Sequence, residues 1–359
     1  MGRRRKNNQL GLPPRVYLRH GAFYYAHPNG KWERIGTDAA EARRRGELYN
    51  DPDERYGTMA YWLDQFVVYC QKRVGRPKSE RGLSQRTYED YAENVVPLKT
   101  FFGKMTPAQV QPHHVAEYLD IGADAGRPVR ANREKACLSA CFSWLIRQEE
   151  TGARENPCKG VARNPESKRE RYVEHDEFAA VYDRAVRSVR VLMDFVYRTL
   201  QRPEDIIEWT PANITRKREP SGEVVRVIRN DQAKTGTIVD MRISAEIDAI
   251  LAMAQPGGVV VGPGTTFVRK RNGKPYTYGG LSAMFRRYVD AAFEAGEIPA
   301  PFTLYDLKGK GATDMWLSGI QLEVIQVLCG HDSVTTTERY VKARWRGTVE
   351  PNRTLLSVG

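Results

Sequence analysis

Apolar residues recur at three- and four-residue intervals through residues 56–150, which is the spacing of one face of an amphipathic helix. The four segments with this spacing are TMAYWLDQFVVYCQKR, SQRTYEDYAENVVPLKTFFG, QPHHVAEYLDIGA and VRANREKACLSACFSWLIRQ. Ser84 is a suitable N-cap for the second segment, and Pro112 suits the first turn of the third. The pattern predicts a helical domain, either one that grips DNA or a bundle that binds nothing.

Residues 1–52 follow a different pattern, in which short apolar and aromatic runs alternate with turns. The segment RVYLRHGAFYYAHPNGKWERIG predicts three strands with turns at His20-Gly21 and Asn29-Gly30, because Asn-Gly above all tolerates positive φ. TDAAEARRRGELYN then predicts a helix. A basic three-stranded sheet can place its strands in a DNA groove, and a small structural sheet is the alternative that the sequence leaves open.

The second half of the chain mixes helix and strand patterns after a break. Residues 151–172 are rich in Pro, Gly, Lys and Arg and predict a basic linker. Within residues 173–359, EVVRVIRNDQAKTGTIVDMRIS predicts two strands that meet at KTG. Helices are predicted in VEHDEFAAVYDRAV and SVRVLMDFVYRTL and over 245–254, 279–295, 308–318, 321–329 and 334–343. The predicted fold class is therefore α+β, mainly helical, with a small N-terminal β-sheet domain, a helical domain and a mixed α/β domain.

The charge of the chain indicates the class of its partner. The 56 Lys and Arg residues outnumber the 44 Asp and Glu residues, which gives a net charge of +12 and a pI near 9.4. This excess favours a polyanion such as DNA, because Lys and Arg displace counterions from phosphates. A merely basic protein is the alternative. The side chains predicted to contact DNA are Arg15, Arg19, Lys31, Arg34, Arg86, Arg133, Lys168, Arg169 and Lys310.

Several other classes of protein are not supported. No run approaches about 18 apolar residues, so no membrane span is predicted, and no apolar run follows the basic N-terminus as in a signal peptide. Five scattered cysteines indicate a reducing compartment, the cytoplasm. His113-His114 has no partners at ligand spacing, and Glu204, Asp205 and Glu208 suit a helix start, so no metal is predicted.

The stretch FTLYDLKGKGATDMWLSG, residues 302–319, alternates lysine and glycine as a phosphate-binding loop can. It does not match the pattern G-x-x-x-x-G-K-[ST], because no glycine stands five residues before a Gly-Lys-Ser/Thr. No parallel-type strand is predicted before it either. The sequence therefore predicts no nucleotide cofactor, and the stretch needs another explanation.

An ordered set of polar residues that ends in a tyrosine carries the strongest functional signal. Each member lies at the end of a predicted element or in a turn, and each is weak alone, since a single tyrosine on a helix is usually a core residue. The set, in chain order, is Arg202 with Asp205, Lys234, Lys308, His331 and Tyr340. In this order and spacing the set resembles the catalytic boxes of the tyrosine recombinase (phage integrase) family.

One box departs from the family pattern. Where the family usually carries His-x-x-Arg, this chain has Tyr305-x-x-Lys308. Lys308 keeps the positive charge but lacks the bidentate fork of arginine, and one lost charge-assisted hydrogen bond costs roughly 1.5–3 kcal/mol. Tyr305, with an ordinary pKa near ~10, is a poor proton acceptor at neutral pH. Two hypotheses remain open: an active recombinase, or a catalytically weakened relative that binds DNA specifically without cutting it.

The resemblance implies a site-specific recombinase that cleaves and rejoins DNA through a 3′-phosphotyrosine intermediate, with no cofactor. Tyr340 is then the nucleophile, and Lys234 protonates the leaving 5′-oxygen. The remaining site residues implied by the resemblance are Arg202, His331 and Lys308 as phosphate ligands, Asp205 as a residue that orients Arg202, and Tyr305 in place of the family histidine.

The resemblance also assigns a role to each predicted domain. Residues 1–52 correspond to an arm-type DNA-binding domain, 56–150 to a core-DNA-binding domain and 173–359 to the catalytic domain. The implied partners are double-stranded DNA, three further copies of the chain in a homo-tetramer on DNA, and accessory DNA-bending or directionality proteins. The expected location is the cytoplasm of a bacterial host, in association with the nucleoid.

Overall fold

The computed structural model describes residues 11–28, 30–51, 55–148, 151–167, 171–255 and 262–342, apart from the side chains of Lys78, Tyr340 and Lys342. The chain divides into two compact units, Met1–Ser167 and Lys168–Gly359. Helices predominate and each unit holds one three-stranded antiparallel sheet, which confirms the predicted mainly helical α+β class. The described ranges contain no helix with the length and apolar character of a membrane span. The division into three domains and a linker stays a prediction.

The first unit begins with a small sheet, as the alternating pattern predicts. Its elements are β1 (Val16–Arg19), β2 (Ala22–Ala26), β3 (Trp32–Gly36) and α1 (Ala39–Asn50), with the strands paired in that order. Arg19 pairs with Ala22, so His20-Gly21 forms a two-residue loop. Both loop residues have positive φ, which a tight hairpin requires. Asn29, in the second predicted turn, lies outside the described residues.

Four helices complete the first unit. They are α2 (Met59–Gln71), α3 (Gln85–Phe102), α4 (Pro112–Asp124) and α5 (Pro128–Leu145). The two predicted helix starts are confirmed: the Ser84 hydroxyl accepts a hydrogen bond from the Thr87 N–H at 3.1 Å, and Pro112 is the first residue of α4. Cys137 and Cys141 are fully buried among apolar side chains, and burial raises the pKa of the Cys137 thiol to about 12. Both cysteines are therefore unreactive core residues.

The second unit surrounds one antiparallel sheet with helices. Its elements are α6 (His175–Arg184), α7 (Arg187–Thr199), α8 (Pro203–Ile206), β4 (Ile214–Arg218), β5 (Val224–Asp231), β6 (Ile238–Arg242), α9 (Ala245–Ala254), α10 (Tyr278–Glu294), α11 (Leu304–Leu317), α12 (Leu322–Cys329) and α13 (Val334–Lys342). The two predicted strands are β5 and β6, which flank the KTG turn. The first strand, β4, was not predicted, because its sequence ITRKR offers one large apolar residue and no clear alternation.

Helix α11 starts earlier than the sequence predicted and packs very closely on α7. It begins at Leu304 rather than at residue 308, because the Asp306 carboxylate accepts a hydrogen bond from the Thr303 N–H at 2.8 Å and caps the helix there. Lys308 therefore lies inside α11. A Cβ on Gly311 would stand 2.0 Å from the carbonyl oxygen of Tyr197 in α7. Glycine at this position therefore allows the close contact between α11 and α7.

Gly311→Ala is expected to destabilise the second unit by about 3 kcal/mol, because the added methyl group meets backbone that cannot move aside cheaply. The matched control is Gly279→Ala in α10, where a Cβ would meet nothing within 4 Å. That variant should be neutral or slightly stabilising, since alanine favours a helix over glycine by up to about 1 kcal/mol. Urea unfolding of both variants tests this prediction, and equal midpoints would contradict the close helix contact.

Candidate active site

Arg202 lies in the sharp turn between α7 and α8. Leu200 ends α7 with a left-handed φ of 55°, and Pro203 occupies the first position of α8. The Arg202 side chain is 15% exposed, and its Nη1 donates to Oε1 of Gln232 at 2.7 Å. The same nitrogen lies 3.8 Å from Oδ2 of Asp205. The guanidinium is thus oriented mainly by a neutral amide rather than by a close carboxylate.

Asp205 is buried and lies between Arg202 and the backbone of the β5–β6 hairpin. Its Oδ1 accepts a hydrogen bond from the backbone N–H of Ala233 at 3.3 Å, which joins α8 to the β5–β6 hairpin. Its Oδ2 faces Arg202 at 3.8 Å and has no hydrogen-bond partner within the part of the chain that is described. This carboxylate therefore lends negative potential to the cations around it.

The β5–β6 hairpin carries Lys234 at its exposed tip. The Gln232 N–H donates to the Thr237 carbonyl at 3.0 Å, and the Gly236 N–H donates to the Gln232 carbonyl at 2.7 Å. Gly236 has a φ of +74°, which the turn requires. The Gln232 side chain points into the unit and is 0% exposed. The hairpin therefore presents a cation outward while an amide anchors its base.

Lys308 and His331 approach Arg202 from two other elements. Lys308 is 4% exposed, and its Nζ lies 3.5 Å from the carbonyl oxygen of Cys329. Burial lowers the pKa of the Lys308 ammonium, and the Arg202 guanidinium lowers it further. His331 follows Gly330, which ends α12 in the left-handed conformation. Burial, then the charges of Lys308 and Arg202, lower the pKa of His331 to about 4, so the imidazole is neutral at pH 7.

Tyr305, which stands where the family usually carries histidine, lies beside α8, the helix that follows Arg202. Its hydroxyl donates to Oε2 of Glu204 at 2.8 Å. Burial, followed by this hydrogen bond, raises the pKa of Tyr305 above its ordinary range. The hydroxyl is therefore held as a proton donor, and the Tyr305–Glu204 contact joins α11 to α8.

Tyr340 lies on α13, a helix that His331 anchors. Nδ1 of His331 and Oγ1 of Thr337 are 2.9 Å apart, and Thr337 is fully buried. The backbone of Tyr340 lies in the next turn of the helix, about 4.5 Å along its axis from Thr337. The side chain of Tyr340 lies outside the described residues. The backbone thus brings this position close to the histidine of the site.

A comparison with known families decides what this arrangement belongs to. A model described as "Phage integrase family" matches residues 171–345, the segment that holds every predicted catalytic residue. Residues 171–345 belong to this family. Its members are the tyrosine recombinases, so the family membership predicted from the ordered boxes is confirmed.

Relatives in the phage integrase family match almost the whole chain. The integrases of Escherichia phage lambda and Enterobacteria phage 434 are each 24% identical over 370 residues, covering 96% of this chain and 98% of each relative. A solved lambda integrase dimer bound to a COC′ core site has a TM-score of 0.65 at 20% identity and covers 98% of this chain and 100% of that one. A lambda integrase tetramer bound to a Holliday junction has a TM-score of 0.66 at 19% identity with the same coverage. At this identity, the structures show a shared fold.

The residues predicted to contact DNA fall into three groups. Those exposed in the first unit are Arg15, Arg19, Lys31, Arg34, Arg86 and Arg133. Two of them hold acidic partners, since Arg86 pairs with Asp90 at 3.1 Å and Arg133 pairs with Glu166 at 3.2 Å. DNA would have to compete with these ion pairs. Lys168 and Arg169 lie outside the described residues. For these eight side chains, DNA contact stays a prediction.

Lys310 is the third group, and its predicted DNA contact is corrected. The side chain is 1% exposed, and its Nζ lies 3.1 Å from both Oδ2 of Asp314 and the hydroxyl of Tyr172. An ammonium group held inside the protein by these partners cannot reach a phosphate backbone. The sequence suggested the opposite because Lys310 lies near the predicted start of a helix, whereas it belongs to a buried stretch inside α11.

Two buried amides of this integrase-family site were not predicted from the sequence. Gln201 and Gln232 bond each other at 2.8 Å, although 31 positions separate them in the chain. Glu204 was interpreted only as a helix-start charge, and its contact with Tyr305 was not foreseen. The one signal in the sequence is position: Gln201 precedes Arg202 directly, and Gln232 lies two residues before Lys234.

The buried state of His331 predicts a pH dependence of stability. The unfolded chain protonates this histidine below its ordinary pKa of about 6.5, whereas the folded chain does so only near pH 4. The unfolded state therefore binds more protons in this window, and the free energy of unfolding should fall as the pH drops from about 6.5 towards 4, by at most about 3 kcal/mol. His331→Gln should make that fall shallower in urea titrations at several pH values. An identical pH profile for parent and variant would contradict the burial.

Proposed function

We propose that this chain is a site-specific DNA recombinase, a phage-type integrase that cleaves and rejoins DNA through a 3′-phosphotyrosine intermediate. The family match over residues 171–345 supports the activity. The observation that supports the chemistry most is the convergence of Arg202, Lys308 and His331 around Cys329. Lys308 Nζ lies 3.5 Å from the Cys329 carbonyl oxygen, Gln232 bonds both that oxygen and Arg202, and His331 follows Cys329 by two residues. Three basic groups around one point suit a phosphate undergoing substitution.

In the proposed reaction, the hydroxyl oxygen of Tyr340 attacks a backbone phosphorus while its proton passes to a water molecule. The new O–P bond forms as the bond between phosphorus and the 5′-oxygen breaks, which leaves a 3′-phosphotyrosine and a 5′-hydroxyl. Because the covalent intermediate stores the energy of the broken phosphodiester bond, rejoining the DNA strand requires no nucleotide or metal cofactor. The transition state carries extra negative charge on the non-bridging oxygens, and fixed cations around them are the largest expected source of acceleration.

Three side chains are proposed to bind the non-bridging oxygens in different ways. Arg202 offers a planar fork that can hold two oxygens at once. In the proposed tautomer, neutral His331 carries its proton on Nε2 and donates it to the phosphate, while Nδ1 accepts from the Thr337 hydroxyl 2.9 Å away. Lys308 contributes a buried point charge in place of the family's arginine. The approach of a phosphate would raise the pKa of Lys308 and keep it charged.

The remaining residues are proposed to move protons or to hold others in place. Lys234, on the exposed hairpin tip, protonates the leaving 5′-oxygen as the bond breaks. Asp205 orients Arg202 and the hairpin backbone through its two carboxylate oxygens. Tyr305, whose hydroxyl donates to Glu204, has a structural part and does not accept the proton of Tyr340.

The proposed partners follow from the substrate and from the relatives. Solved lambda integrases are a dimer bound to a core site and a tetramer bound to a Holliday junction. For this chain we infer double-stranded DNA as substrate and a homo-tetramer on DNA as the working unit, with residues 1–52 and 56–150 as arm-type and core-type DNA-binding domains. Accessory DNA-bending or directionality proteins, and a location in the bacterial cytoplasm on the nucleoid, belong to the same proposal.

A second candidate function is a catalytically weakened relative that binds and pairs DNA sites without cutting them. The observations that favour it are the two replaced residues of the second box. Lys308 lies at 3.5 Å from a backbone carbonyl and lacks the arginine fork, and the Tyr305 hydroxyl is engaged by Glu204. Retention of Arg202 and His331 in one cluster favours the active enzyme over this alternative.

A trapping experiment distinguishes the two functions. Duplexes that tile the DNA flanking the gene of this protein would each carry a nick a few nucleotides from the bond under test. Cleavage releases the short 5′-hydroxyl fragment, which diffuses away. Without this fragment the strand cannot be rejoined, so the protein stays covalently attached to the DNA. A protein–DNA adduct on a denaturing gel supports the recombinase. Specific binding with no adduct on any duplex supports the binding-only relative.

A further inference from the structure

The Gln232 amide uses all of its hydrogen-bonding capacity inside the catalytic unit. Its Oε1 accepts from Nη1 of Arg202 at 2.7 Å and from the hydroxyl of Thr235 at 2.9 Å. Its Nε2 donates to Oε1 of Gln201 at 2.8 Å and to the carbonyl oxygen of Cys329 at 3.1 Å. Two donors face the oxygen and two acceptors face the nitrogen, so the amide orientation is uniquely determined.

The contacts of this amide join three boxes that are far apart in the sequence. Arg202 belongs to the first box, Thr235 is the neighbour of Lys234, and Cys329 precedes the Gly330-His331 turn. The amide also lies directly against that turn, because a Cβ on Gly330 would stand 2.4 Å from Nε2 of Gln232. One side chain therefore contacts the phosphate-binding arginine, the proton-donating hairpin and the histidine turn.

A second row of amides holds Gln232 from behind. Oε1 of Gln201 also accepts from Nδ2 of Asn230 at 2.8 Å, and Oδ1 of Asn230 accepts from the indole N–H of Trp209 at 3.0 Å. Nε2 of Gln201 donates to the carbonyl oxygens of Thr199 and Leu328. Fully satisfied buried networks of this kind fix a unique geometry.

We propose that Gln232 is a positioning residue of the strand-cleavage step, an inference that rests on the proposed recombinase function. It holds the guanidinium of Arg202 in place and, through Thr235, ties the Lys234 hairpin to the same oxygen atom. The phosphate-binding cation and the proton donor are thereby set relative to each other before DNA arrives, which is where preorganisation contributes to rate.

The neutrality of the amide is essential to this role. A carboxylate at the same place would also bind Arg202, but as a close buried ion pair. It would neutralise the charge that the transition state needs and would repel the phosphate. An amide oxygen orients the guanidinium and leaves its full positive charge for the substrate. The chain keeps its carboxylate, Asp205, at the longer distance of 3.8 Å from the same nitrogen.

Two variants test the proposal on the duplex that traps the parent protein. Gln232→Glu is nearly isosteric and should slow single-turnover cleavage by about 100-fold or more, with DNA affinity within about threefold of the parent. Thr235→Val removes one hydroxyl from an exposed residue, so folding is preserved, and it should slow cleavage about tenfold. Thr237→Val is the matched control, because Thr237 bonds this turn through its backbone.

A modified substrate separates positioning from general structural damage. In a duplex whose 5′-bridging oxygen at the scissile linkage is sulfur, the leaving thiolate needs no proton, so a misplaced Lys234 no longer limits the rate. Thr235→Val should then cleave within about twofold of the parent, whereas Gln232→Glu should stay slow because Arg202 remains compromised.

Cleavage of the normal duplex by Gln232→Glu and Thr235→Val at parental rates would overturn the proposal. An equal deficit of Thr235→Val on both linkages would overturn it too. If the parent forms no adduct on any duplex, the proposed function fails and not merely this inference.

Discussion

Tyr340→Phe is expected to abolish the covalent attachment of this protein to DNA, lowering its rate by at least about 10⁴-fold, the scale of losing a nucleophile. The substitution removes the single oxygen that the proposed reaction transfers to phosphorus. It leaves the DNA-binding surfaces unchanged, so affinity for the duplex should stay within about twofold of the parent. The readout is the adduct band on a denaturing gel with the nicked duplex, beside a binding isotherm for the same DNA.

Tyr305→Phe is the matched control for that experiment. Tyr305 lies in the same site, on α11, but its hydroxyl donates to Glu204 and is held protonated. Its removal should leave the adduct in place, with a modest change in rate. An adduct that persists in Tyr340→Phe, or one that disappears only in Tyr305→Phe, would move the nucleophile to another residue and contradict the assignment.

Arg202→Lys carries the second-largest expected effect, a loss of about 10²- to 10³-fold in the single-turnover cleavage rate. Lysine preserves the charge but replaces a planar fork with a point charge. Its single ammonium nitrogen cannot occupy the separate positions from which the guanidinium nitrogens reach Gln232 and two phosphate oxygens. Because the missing contact strengthens as negative charge develops on the non-bridging oxygens, the loss should appear in the cleavage rate more than in DNA affinity.

Arg198→Lys provides the comparison, since Arg198 is an exposed arginine near the end of α7, in the helix that leads into Arg202. That change should leave cleavage within about twofold of the parent. If Arg202→Lys also cleaves within about threefold, the fork is not needed, and Arg202 would be a structural partner of Gln232 and not a ligand of the phosphate.

Local sequence signals predicted many of the elements in each of the two units. The Ser84 cap and Pro112 fixed two helix starts, and the KTG turn predicted the hairpin that carries Lys234, because each is decided by a few neighbouring residues. The start of α11 was misjudged for the same local reason. The predicted helix began at Lys308 because the capping box of Thr303 and Asp306 was not recognised, and this cap starts the helix at Leu304.

Contacts between distant residues could not be predicted in the same way. Gln201 meets Gln232 and Glu204 meets Tyr305 across long stretches of chain, with no periodicity or spacing that links them. The burial of Lys310 depends on Tyr172, which lies 138 positions away and which no local pattern pairs with it, as well as on Asp314, one helical turn further along α11. The order of the boxes linked Arg202, Lys308 and His331, which lie near one another in the folded unit, whereas the neutral amides beside them became visible only there.

The most direct test of the central claim is the identity of the residue joined to DNA. The trapped adduct would be trimmed with nuclease and digested after lysine, which yields the peptide of residues 311–342 with Tyr340 as its one tyrosine. Mass spectrometry is expected to find the nucleotide phosphate on Tyr340 in this peptide. A nucleotide phosphate on any other residue would contradict the account.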